Sequence, residues 1–202
     1  MLYKAVRMWA PGLLGLLVGH LLGLGWSYLY GERRWRGLLL CQECGLGVGG
    51  ASLLPVVGVL ASSLTCHRCA CPLPVRALVL PIAGGGLGVA SYFSLGPQIG
   101  PALLGALFGV VLLALTITDL ERRLLPNRLT YTATFLALVL SWGWEGRGPV
   151  EAAAGAGFGA IALGLAYLLL RGGLGAGDVK LAIFIGAVVG FPRVVGALMV
   201  GV

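Results

Sequence analysis

A membrane-spanning, all-α helix bundle is the fold class that the sequence predicts, and three observations predict it. Of the 202 residues, 58% are hydrophobic and only 10% are charged, with a mean hydropathy of +0.98. A water-soluble domain carries about 25% charged residues, so this surface faces lipid. Charge-free runs reach the roughly 17 to 25 residues that a helix needs to cross the hydrocarbon core. The 35 glycines follow no three-residue period and sit inside those runs, where small residues let helix backbones approach closely. That placement excludes collagen-like and disordered chains. The net charge of +7 is divided into short groups between apolar runs, without the basic stripe and interleaved aromatics of a nucleic-acid surface. No nucleic-acid partner is expected, and the basic residues read as loop charges beside a membrane.

About six spans are expected. The first runs from Met8 to Tyr30, too long for the apolar core of a signal peptide and without a convincing cleavage site. No charge appears for 42 residues from Ala77 to Thr118, and Gly96, Pro97, Gly100 and Pro101 divide this run into a helical hairpin, giving spans two and three. Leu129 to Trp144 is a slightly short fourth span whose terminal tryptophans suit the interface. Ala152 to Leu170 is the fifth, and a sixth begins near Val179 and reaches Phe191. Pro192 and Arg193 then interrupt the pattern, so the last element reads as incomplete or unusual.

Lysine and arginine near span ends set orientation. In this alternating topology ten fall on one side and four on the other. The ten-residue side is expected to be cytoplasmic, which puts residues 31–76, 119–128 and 171–178 on the inner face. The implied organisation is a first transmembrane helix over 1–30, a cytoplasmic loop module over 31–76 and a transmembrane core over 77–202.

The loop module carries two CxxC pairs, Cys41 with Cys44 and Cys66 with Cys69, separated by 21 residues. A two-residue gap lets both sulfurs of a pair face one centre, so two pairs supply the four thiolates of a tetrahedral zinc site. The alternative, redox dithiols, needs only one pair. With all four positions filled by sulfur the zinc would be structural, folding a loop that has little core of its own. Cys71 is then a spare thiol, and His67 and Glu43 read as solvent-facing residues of the module.

Only two aspartates occur in the chain. Asp119 closes the third span and Asp178 opens the sixth, after Gly175-Ala176-Gly177. A carboxylate near the membrane interior needs a partner, a wet cavity or a task. Two acids at one depth would share a proton, one remaining a base while the other stays protonated. That division suits peptide hydrolysis, with one carboxylate drawing a proton from water and the other donating to the developing oxyanion. The plainer reading pairs Asp119 with Arg122 or Arg123 and makes Asp178 a helix cap. Lys180 reads as an interface residue that extends its ammonium to the cytoplasmic boundary.

These residues resemble the type IV prepilin peptidases, aspartyl proteases of the GxGD class. The resemblance rests on Gly175-Ala176-Gly177-Asp178-Val179-Lys180, on the segment from Asp119 through Pro126 and Asn127, and on the paired CxxC knuckles, with order and spacing agreeing from about residue 12 to 191. It implies that Asp119 and Asp178 are the catalytic pair. It implies a membrane enzyme that removes basic leader peptides from prepilins or pseudopilins at the cytoplasmic face of the bacterial inner membrane. Members with the cysteine module often also methylate the new amino terminus, which makes S-adenosylmethionine the second implied cofactor beside zinc. The chain departs from the family at Gly19-His20-Leu21-Leu22-Gly23, which lacks the usual serine and asparagine, and after Arg76, where the usual Tyr-Pro and glutamate are missing. Both departures lie in the amino-terminal half. They motivate an alternative function, a non-catalytic membrane scaffold of a pilus or secretion system. A proton-coupled transporter would show internal repeats, and none is visible.

Overall fold

The computed structural model describes residues 2–25, 76–96, 98–144, 146–170 and 173–201. Among these residues it is helical throughout, with seven α-helices: α1 (Leu2–Leu24), α2 (Arg76–Leu95), α3 (Ile99–Arg122), α4 (Asn127–Val139), α5 (Pro149–Leu169), α6 (Ala176–Val189) and α7 (Arg193–Gly201). A 3-10 turn, Leu140–Gly143, prolongs α4. The expected loop module, with Cys41, Cys44, Cys66 and Cys69, lies outside the described residues.

Two helices, Ile99–Glu121 and Pro149–Leu169, are long and apolar enough to cross a membrane, with mean hydropathies of 2.2 and 1.8. Shorter apolar stretches cover Trp9–Gly23 and Val79–Leu95. Large apolar side chains such as Phe135, Trp142, Ile161 and Leu168 are exposed, as the lipid-facing surface of a helical membrane protein requires. By contrast, α4 and α6 have 13 and 14 residues. At a rise of 1.5 Å per residue each extends about 20 Å, and the 3-10 turn adds roughly 8 Å to α4, so α6 by itself falls short of the roughly 30 Å hydrocarbon core.

The chain divides into two compact units, residues 1–117 and 118–202. In the first, α1 and α2 run antiparallel and touch backbone to backbone. A Cβ on Gly15 would strike the carbonyl of Gly84, one on Gly19 the carbonyl of Leu80, and one on Gly88 the carbonyl of Pro11. Pro11 and Pro81, each inside a helix, are fully buried in this packing. A membrane helix tolerates such prolines because neighbouring helices enclose the backbone they disturb. The hairpin expected at Gly96 is present: this residue has φ +91°, and beyond it α3 returns along α2, with Gly105 against Ser91 and Leu95.

In the second unit, α5 and α6 form an equally close antiparallel pair. A Cβ on Gly155 would strike the carbonyl of Gly186, and one on Gly159 that of Ala182. The start of α5 is set by Gly148, Pro149 at the first helical position and Glu151, whose Oε2 accepts from the Gly148 N–H at 2.7 Å. Proline suits that position because its missing N–H would have no helical partner. Beside this turn the Arg147 guanidinium lies over the Trp144 ring, 4.2 Å from its centroid. Burial first, and then neighbouring Arg193, push Arg147 down to about 10, so it remains cationic at neutral pH. Helix α6 ends at Val189, short of the Phe191 expected for a sixth span, because Gly190, at φ +75°, turns the chain. The Phe191 N–H then donates to the Glu151 carbonyl at 2.9 Å, fastening this turn to α5.

Candidate functional site

Asp119 stands in the last turn of α3. The helix closes at Arg123, whose N–H donates to the Asp119 carbonyl at 2.7 Å and whose φ is +52°. This left-handed closure is usually made by glycine; an L side chain adopts it at a cost of about 1–2 kcal/mol. It redirects the chain through Leu124 and Leu125 to Pro126, which is buried and extended and so stops one helix and starts the next. A proline suits this junction because it fixes its own φ and needs no amide partner.

Asp178 is the third residue of α6. Its Oδ2 accepts from the Gly175 N–H at 3.0 Å, satisfying a backbone donor just ahead of the helix. The N-cap position considered for Asp178 from the sequence is held by Gly175 instead; Asp178 reaches back to it from inside the helix, and this bond fixes the carboxylate rather than competing with chemistry. The two motif glycines have separate reasons. A Cβ on Gly175 would lie 3.2 Å from the Asp178 carboxylate, whereas one on Gly177 would lie 3.0 Å from Leu125 Cδ1. Gly177→Ala therefore forces Leu125 aside by a few tenths of an ångström. An off-rotamer side chain costs about 0.5–1.5 kcal/mol, so a roughly 2- to 10-fold slower cleavage in detergent is expected for this variant.

Both aspartates line one open cleft of about 500 Å³, together with Leu120, Arg123, Leu125, Gly175 and Gly177. All of these residues belong to the second unit. The structure thus brings together Asp119, Asp178 and the two motif glycines. Pro126 and Asn127 stand immediately beyond Leu125 at the head of α4, and Asn127 accepts a hydrogen bond from Lys180 Nζ at 2.8 Å. Lys180, read from sequence as an interface residue, is tied to another helix, with its ammonium 5.7 Å from the Tyr131 ring centroid. Sequence reasoning gave no role to Leu125 or to the Arg123 turn. A signal existed only in the Leu-Leu-Pro-Asn run, whose proline marks a chain reversal. Among the described residues no cluster of three or more His, Cys, Asp or Glu side chains is placed to hold a metal ion.

Two helices long and apolar enough to cross a membrane, together with a cleft lined by two carboxylates, are consistent with a helical membrane protein that carries a candidate acid–base site. Residues 106–202 match the model of the type IV leader peptidase family. The match takes in both aspartates, the Pro126-Asn127 turn and the GxGD segment, and it supports the resemblance to a type IV prepilin peptidase. No curated protein and no solved structure matched the chain.

Proposed function

We propose that the protein is a membrane-embedded aspartic endopeptidase that removes the leader peptides of type IV prepilins or pseudopilins. The observation that carries this reading is that Asp119 and Asp178, 59 residues apart in sequence, line one cleft within the segment that matches the leader peptidase family. One carboxylate takes a proton from a water as its oxygen bonds to the scissile carbonyl carbon. The protonated partner gives its proton to the carbonyl oxygen as the C–O double bond opens. Collapse of this intermediate breaks the C–N bond: the acid formed in the first step protonates the leaving amine, and one hydroxyl of the intermediate returns its proton to the second carboxylate, so that a carboxylic acid forms and the pair again holds one proton. The Gly175 N–H, by holding Asp178 Oδ2, keeps one of the two acids in register with the cleft.

The basic-residue asymmetry supports a position for this cleft at the cytoplasmic face, and the family resemblance supports a bacterial inner membrane as its setting. Prepilin-like chains suit such a position because their cleavage point lies between a basic leader and an apolar helix that remains in lipid. Mass spectrometry of a co-expressed prepilin tests the reading directly: loss of the leader is expected with the wild-type chain, and an intact leader would refute it. An added methyl on the new amino terminus would report the second activity, with S-adenosylmethionine as donor; no described residue is assigned to it.

Cys41, Cys44, Cys66 and Cys69 form a donor set that suits structural zinc, which would organise the 31–76 module. Metal analysis of the purified chain is expected to give about one zinc per chain, lost in Cys41→Ser. A folded, metal-free wild type would remove zinc from the account.

A further inference from the structure

Asp178 and Lys180 are two residues apart on α6, so at about 100° per residue their side chains leave the helix in different directions. Lys180 accordingly does not line the cleft that Asp178 lines. It is half-buried, and its Nζ donates to Asn127 Oδ1 at 2.8 Å while lying 5.7 Å from the Tyr131 ring centroid. Asn127 and Tyr131 are one turn apart on α4, so together they form a seat for the ammonium. The hydrogen bond is charge-assisted on the donor side, and the aromatic face adds attraction for a cation within about 6 Å.

This contact spans 53 residues of sequence and joins two segments that carry the cleft. On one side, the head of α6 bears Asp178 and rests Gly177 against Leu125. On the other, the head of α4 follows Asp119 by only the short turn through Arg123 and Pro126. The spacing between the acids therefore depends on how the heads of α4 and α6 are held together, and Lys180 with Asn127 is a polar bond between them.

We propose that Lys180 is a positioning residue for Asp178, acting through Asn127 and Tyr131 and not through its charge on the aspartates. The inference rests on the reading of Asp119 and Asp178 as the reacting pair. Misplacing a reacting group by about 1 Å can cost about 100-fold in rate. Lys180→Met and Asn127→Leu are accordingly each expected to lower kcat about 10- to 100-fold, with KM within about twofold of wild type.

The full chain in detergent, cleaving a purified prepilin, supplies the test. Because one bond is lost in either variant, the double variant Lys180→Met with Asn127→Leu is expected to be no slower than the slower single one. Asn127→Asp, which keeps an acceptor for the ammonium, is expected to retain most of the rate, and the pH–rate profile is expected to keep its midpoints in every variant. Multiplying losses in the double variant, a loss carried by KM, or shifted midpoints would overturn the proposal, the last by making Lys180 an electrostatic partner of the acids. A second readout does not require cleavage. Amide hydrogen exchange over residues 175–180 is expected to quicken about tenfold in Lys180→Met while α5 is unchanged, and unaltered exchange there would overturn the positioning role even if no prepilin were processed. Should Lys180→Met fail to fold, Asn127→Asp decides: a loss as large as that of Asn127→Leu contradicts the proposal.

Discussion

Asp119→Asn and Asp178→Asn are each expected to reduce leader removal about 10²- to 10⁴-fold, the range that positioned acid–base groups contribute. Asparagine is the informative replacement because it nearly preserves shape while removing the carboxylate's capacity to take up or release a proton. At Asp178 the amide oxygen still accepts from the Gly175 N–H, which now bonds to Oδ2 at 3.0 Å, so the first turn of α6 is retained. Asp178→Ala would remove chemistry and this hydrogen bond together, and the loss of one such bond commonly costs about 1 kcal/mol. Comparing the melting temperatures of Asp178→Asn and Asp178→Ala in detergent separates the roles: the alanine variant is expected to melt lower, and the asparagine variant close to wild type. Both are expected to be inactive.

Gly155→Leu is expected to abolish folding of the second unit and, with it, activity. Between membrane helices there is no water to exclude, so close backbone packing supplies the association that apolar burial supplies in water. At Gly155 even a Cβ would strike the carbonyl of Gly186 and come within 2.8 Å of Gly190 Cα. A leucine side chain has no space, and α5 and α6 would have to separate. Gly157, two residues along the same helix, has nothing within 4 Å of an added Cβ. Gly157→Leu is therefore the matched control, expected to fold and cleave normally. Size-exclusion profiles and melting curves in detergent would check the pair; an unperturbed Gly155→Leu protein would contradict the packing described here.

The helices were legible because lipid leaves a simple pattern: apolar runs of span length broken by glycine, proline and charge. The hairpin at Gly96 was readable for that reason. Helix ends were less so. The first helix starts at Leu2 instead of Met8, since hydropathy excludes Lys4 and Arg7 while backbone hydrogen bonding continues through them. The run from Leu129 to Trp144 gave no sign that α-helical geometry changes to a 3-10 turn at Leu140, because both geometries accept the same apolar residues. At the site, two aspartates in a chain with so few acids were conspicuous, and their shared cleft agrees with the expectation. The bond from Lys180 to Asn127 was not legible. A lysine at a span end has the same sequence signature whether its ammonium reaches water or another helix, and only the packing of α4 against α6 distinguishes the two.

The most direct measurement of the central claim is the initial rate of leader removal by four purified chains: wild type, Asp119→Asn, Asp178→Asn and the double variant. If the two carboxylates act as one unit, both single variants are inactive and the double variant is no worse than either. Wild-type activity that survives either single substitution would contradict a shared acid–base role for this pair.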